Sequence, residues 1–100
     1  MFTVTTNRDT AGRLNRVSVE VNNVDITALI TYAAQGVRVG CIVFDDDANV
    51  IADTDSALYI GHCVTCAAHV AMLDAYAIAL GDGSILYDAL ADHVGACVCN

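Results

Sequence analysis

Between residues 62 and 69 the chain reads His-Cys-Val-Thr-Cys-Ala-Ala-His, four nitrogen or sulfur side chains in eight positions. On a helix His62, Cys66 and His69 share one face, because their steps are four and three. Three such donors can hold zinc, with His93, Cys97 or Cys99 as a fourth. The spacing departs from a zinc finger, where two ligand pairs flank a longer loop. The plainer reading makes Cys63 and Cys66 small core residues, with His62 and His69 on the wet edge of a helix. No metal or other cofactor is therefore expected, and His62, Cys66 and His69 stand as the alternative metal set. A Cys–His nucleophile lacks a recognisable orienting group here, and apolar neighbours keep a thiol neutral.

Asp45-Asp46-Asp47-Ala48-Asn49 has acids where a calcium loop begins. The glycine required at the sixth position is Val50, and the twelfth is Ser56 in place of Glu, so the EF-hand pattern fails. An exposed hairpin turn accounts for these residues, since Asp and Asn favour turns. The chain has no glycine-rich phosphate loop, no G-x-S-x-G and no H-E-x-x-H. The expectation is a binding protein and not an enzyme.

Charge is the stronger signal. Residues 1–38 hold all four Arg (Arg8, Arg13, Arg16, Arg38) against Asp9, Glu20 and Asp25, a net +1. Residues 39–100 hold nine Asp and no Lys or Arg, a net −9, which gives the total of −8. Such a surface repels nucleic acid and anionic membranes, whose binding needs cations. It favours a protein partner with a basic surface. The acids cluster at Asp45, Asp46, Asp47, Asp53 and Asp55, and again at Asp88 and Asp92. Those seven are the expected partner-binding residues. Carboxylates spaced over a small rigid scaffold can imitate a row of phosphates and occupy a groove meant for DNA. Charge for solubility is the plainer account.

The elements that would position these groups follow from periodicity. One domain is expected over residues 1–100. Phe2–Thr6 and Arg16–Val21 alternate and read as a hairpin. Asp25 reads as a helix N-cap before Ile26, Leu29, Ile30 and Ala33, with Gly36 as the stop. Val37–Phe44 and Val50–Ala52 form a second hairpin around the Asp turn. Ala57–Leu80 reads as a helix whose outward stripe holds His62, Thr65, His69, Met72 and Tyr76, ended by Gly81. Asp82 or Ser84 caps a last helix, with Ile85, Leu86, Ala89, Leu90, His93 and Val94 inward. The expected class is α+β in the order ββαββαα. It is a two-layer domain, with a four-stranded antiparallel or mixed sheet of two hairpins and helices packed on one face.

Hydrophobic residues make up 56% of the chain. A domain of this size cannot bury all of that, which leaves apolar surface for a partner or a homodimer. Arg8 and Asp9 interrupt any leader-like apolar run. The stretch Ala57–Leu73 contains two histidines and is barely long enough to span a membrane. With five Cys, an odd number, reduced thiols in a host-cell cytoplasm are the expectation.

Val4-Thr5-Thr6-Asn7-Arg8-Asp9, followed by Val17-Ser18-Val19-Glu20-Val21, resembles the opening of some small acidic phage-borne anti-CRISPR proteins. The likeness covers about a fifth of the chain. The three arginines Arg8, Arg13 and Arg16 depart from the more acidic opening of those proteins. The resemblance implies an inhibitor that binds a CRISPR surveillance complex and blocks its access to target DNA.

Overall fold

The computed structural model describes residues 3–21 and 23–81. Its elements are β1 (Thr3–Arg8), β2 (Leu14–Val21), β3 (Val24–Ala33), β4 (Gly36–Phe44), β5 (Val50–Ile60) and α1 (Val64–Leu80). The strands form an antiparallel sheet in sequence order, each paired with the next. The order is therefore βββββα, with five strands and one helix among the described residues. The expected ββαββαα order with a four-stranded sheet is wrong. The expected last helix falls in residues 82–100, outside the described residues.

The main correction is the segment expected as the first helix. Ile26, Leu29, Ile30 and Ala33 have helical spacing, but Val24, Ile26, Ala28 and Ile30 alternate as well. Those four are buried, whereas Leu29 is 50% exposed. The segment is rich in β-branched residues, which fit a pleated surface. Its ends are tight. Val21 pairs with Val24 and Ala33 with Gly36, so each connection has two residues, the commonest hairpin length. Asn23 takes φ 63, a left-handed value that Asn tolerates. Asp25 is thus a strand residue and caps no helix. Gly36 opens β4, and a Cβ there would run into the Tyr59 carbonyl of β5. That close approach requires glycine.

The second correction lies between residues 53 and 63. The returning strand does not stop at Ala52 but runs to Ile60. Ala57, Leu58, Tyr59 and Ile60 pair with Val39, Arg38, Val37 and Gly36. An evenly apolar run carries no period of its own, so sheet pairing decides its first residues. Gly61, at φ 78, turns the chain, and Cys63 caps the helix.

The core lies between the helix and one face of the sheet. Val17, Val19 and Val21 of β2, Ile26 of β3, and Val39, Cys41 and Val43 of β4 are at most 1% exposed. Helix α1 lays Ala67, Ala68, Ala71 and Ala75 against this face. Their small side chains let the backbones come close, and Met72 and Tyr76 are buried beside them. Full burial of a side chain such as Met72 contributes about 1.5–3 kcal/mol. Met72 and Tyr76 were expected on the outward stripe. The outward face instead holds Val70, Asp74, Ala77 and Ile78. Among the described residues, no helix is long and apolar enough to cross a membrane.

The β1–β2 turn is tied to the sheet by a chain of polar contacts. Asp9 Oδ1 accepts from the N–H groups of Ala11 and Arg13, and Asp9 Oδ2 meets Arg13 Nε at 3.1 Å. The Arg13 backbone N–H foremost, then its charge, holds the Asp9 carboxyl below the usual range. The Arg13 guanidinium lies 4.5 Å from the centre of the Tyr32 ring. Tyr32 in turn donates to the Leu14 carbonyl at 2.7 Å. Asp9, Arg13 and Tyr32 are thereby committed to holding the fold.

Candidate functional site

Helix α1 packs on β3, β4 and β5 at one face of the sheet, and among the described residues no element packs on the other. Side chains on a sheet alternate between faces, so the register states which residues share the open one. They form rows across the strands. Thr3, Glu20, Asp25, Phe44 and Val50 make the first row, and Thr5, Ser18, Thr27, Ile42 and Asp53 the second. Asn7, Arg16, Leu29 and Gly40 make the third. Thr31, Arg38 and Leu58 make the fourth.

The open face has two adjoining hollows. One, of about 500 Å³, lies at the acidic end and is lined by Glu20, Asp25, Asp45 and Asp46, with Phe44 and Arg16 among its walls. The other, of about 360 Å³, lies over Gly40, where the missing side chain leaves a gap beside Leu29 and Ile42. Asp53 and Asp55 stand at its rim. The register of β4 against β5 slips between Val39 and Cys41, which places Asp55 and Ser56 opposite Gly40. An apolar strip of Leu29, Ile42 and Phe44 is thus bordered by carboxylates.

The expected acids of the β4–β5 hairpin do come together there, but they do different work. Asp45 Oδ1 accepts from the N–H groups of Asp47 and Asn49, each at 2.9 Å. Ala48 turns at φ 64 and donates its N–H to the Asp45 carbonyl. Asp45 is therefore a turn-forming residue, while Asp46 and Asp47 are exposed beside it. The three carboxylates each bring an oxygen within 4.8 Å of the others, a spacing that a hard cation can bridge. Asp53 and Asp55 are exposed on β5. Asp88 and Asp92, the remaining expected partner-binding residues, lie outside the described residues.

Glu20 and Asp25 complete the acidic end, and neither was singled out from sequence. The helical spacing of residues 26–33 makes Asp25 a helix N-cap, a role that its strand pairing with Glu20 removes. The signal lay in the alternation of Val24, Ile26, Ala28 and Ile30, which puts Asp25, Thr27, Leu29 and Thr31 together on the opposite face. A short polar chain holds Asp25 in place. Thr27 Oγ1 donates to Asp25 Oδ1 at 2.9 Å and accepts from Ser18 Oγ at 3.0 Å.

The alternative metal set is only partly assembled. His62 precedes the helix, so it does not share a helical face with Cys66 and His69. Its Nδ1 nevertheless lies 3.2 Å from Cys66 Sγ. His69 is half-buried on α1, and burial lowers its imidazole's affinity for a proton. Among the described residues, the one group of three or more clustered metal-ligating side chains is Asp45, Asp46 and Asp47. Cys63 and Cys66 are half-buried at the start of the helix, not core residues. His93, Cys97 and Cys99 lie outside the described residues.

Comparison with family models, curated proteins and solved structures finds no match to this chain.

Proposed function

We propose that this chain is a small acidic binding protein that docks through the open face of its sheet on a Lys- and Arg-rich protein surface. The observation that carries the reading is the apolar strip Leu29, Ile42 and Phe44 bordered by Glu20, Asp25, Asp46, Asp53 and Asp55. The strip supplies contact area and the carboxylates supply attraction. Against a basic groove such charges raise the encounter rate and select the partner. Arg16 and Arg38 on the same face add directional hydrogen bonds that fix the docked orientation.

The partner class that fits best is a nucleic-acid-handling complex, because its basic groove is built to receive spaced negative charges. A CRISPR surveillance complex is such a partner. The resemblance of residues 4–21 to phage anti-CRISPR openings points the same way. The chain would then inhibit by occupying the groove in place of target DNA, without catalysis.

Interferometry on guide-loaded surveillance complexes tests this. The chain and target DNA should exclude each other, and affinity should fall steeply from low to moderate salt. Reversing charge at Asp46 and Asp47 should weaken binding at least about tenfold, as expected for two carboxylates facing cations. Simultaneous binding with DNA, or indifference to salt and to both substitutions, would reject the electrostatic account.

A homodimer is a second reading, favoured by β5. That strand lies at the edge of the described sheet and exposes Val50, Ile51 and Ile60 at 56%, 41% and 65%. Exposed apolar edges pair with other strands. Light scattering across a hundredfold range of concentration decides it. A constant monomer mass would set the dimer aside.

A further inference from the structure

We infer that Cys63 and Cys66 form a thiol–disulfide exchange couple that reacts with small disulfides, Cys63 attacking and Cys66 resolving. Cys63, Val64, Thr65 and Cys66 have the two-residue spacing of redox dithiols. Cys63 is the N-cap of a 17-residue helix, with φ −72 and ψ 165. Its Sγ accepts the backbone N–H of Cys66 at 3.4 Å. A sulfur there sits at the positive end of the helix, where a thiolate is favoured. Both residues are thiols and half-buried. One helical turn separates their Cα atoms by about 5 Å, within the span a disulfide bridges.

His62 supplies the proton handling. Its Nδ1 lies 3.2 Å from Cys66 Sγ, and its ring packs edge-on against Tyr59 with centroids 6.1 Å apart. Cys41 provides the internal contrast. It is fully buried under α1, and burial pushes its thiol up to about 12. One cysteine is thus sealed in the core while two stand at an accessible helix start.

The chemistry balances. The Cys63 thiolate attacks one sulfur of a disulfide RSSR, whose S–S bond breaks to release RS−. A mixed disulfide remains on Cys63. Cys66 gives its proton to His62 and attacks the Cys63 sulfur, expelling the second RS−. The two leaving thiolates take up one proton each, the second from His62. Two thiols are oxidised to one disulfide and RSSR is reduced to two RSH.

The test uses the full chain in glutathione buffers running from reduced to oxidised. Samples are acid-quenched, alkylated and mapped by peptide mass. A Cys63–Cys66 disulfide should accumulate with oxidation, unchanged in a Cys97→Ser, Cys99→Ser variant. Cys66→Ser should trap glutathione on Cys63. Cys63→Ser keeps a good N-cap and so the helix, but should slow reaction with a small disulfide at least about tenfold. The inference is overturned if Cys63 and Cys66 stay alkylated at every ratio, or if either pairs with Cys97 or Cys99. It is also overturned if Cys63→Ser traps glutathione on Cys66 as fast, or if bound zinc protects both thiols until a chelator is added.

Discussion

Glu20 and Asp25 are direct partners across β2 and β3, two carboxylates facing each other on the open side of the sheet. Like charges in that position are destabilising, where an opposite pair contributes roughly 0.2–1 kcal/mol. Glu20→Lys should therefore raise stability by about 0.5–1 kcal/mol at low salt. The gain should shrink as salt screens the pair. Urea melts at two ionic strengths measure this. If the face docks on a basic partner, the same substitution should weaken binding. A loss of stability in Glu20→Lys would mean the pair is not repulsive.

Asp45 should separate from Asp46 and Asp47 by what it does to the fold. Its carboxylate accepts from two backbone N–H groups of the turn. Asp45→Ala strands both donors and should cost about 1–2 kcal/mol. Asp46→Ala and Asp47→Ala remove exposed charge and should change stability by under about 0.5 kcal/mol. Their effect belongs to partner binding. Denaturation of the three variants, followed by binding, assigns each Asp to one role.

What sequence could convey depended on how each segment's pattern competes. Arg16–Val21 alternates cleanly and Val37–Phe44 is β-branched and apolar, so both strands are legible in the sequence. Residues 25–33 satisfy both a helical and a strand period, and pairing with β2 and β4 on both sides decides for the strand. The Asp-rich turn was legible because Asp and Asn favour turns locally. Glu20 and Asp25 were not, since joining them to Phe44 and Asp46 needs the register of three strands. The contact between His62 and Cys66 does not come from the shared helical face that their spacing suggests. Gly61 and the Cys63 cap, not a shared helical face, bring the imidazole to the sulfur.

Gly36→Ala should be among the most damaging small substitutions outside the helix. The new methyl would meet the backbone carbonyl of Tyr59, and neither strand can yield without disturbing the β4–β5 pairing. A loss of about 2–3 kcal/mol is expected, in the range of overpacked sites. Gly12→Ala offers the control, because its Cβ meets nothing within 4 Å and only its φ of 82 is strained. That variant should lose about 1 kcal/mol. Thermal melts of the two should rank them in that order.

Cys41 should make the fold sensitive to alkali. Burial foremost raises its thiol from 9.0 to about 12, with the Asp74 charge adding and the Thr54 hydroxyl opposing. The folded state therefore keeps the proton after the unfolded chain has lost it. Where the native state binds more protons, stability falls as pH rises. The contribution of Cys41 is intact below pH 9 and drains between 9 and about 12, at about 1.4 kcal/mol per pH unit. Tyr32 and Tyr59, also raised by burial, act in the same direction above 10. The difference between wild type and Cys41→Ala isolates the thiol. At pH 7 the variant should be less stable by about 1–2 kcal/mol, the cost of a small cavity. By pH 11 that gap should close and reverse. Parallel stability curves from pH 7 to 11, measured under reducing conditions, would show instead that the thiol ionises in the folded state as readily as in the unfolded chain.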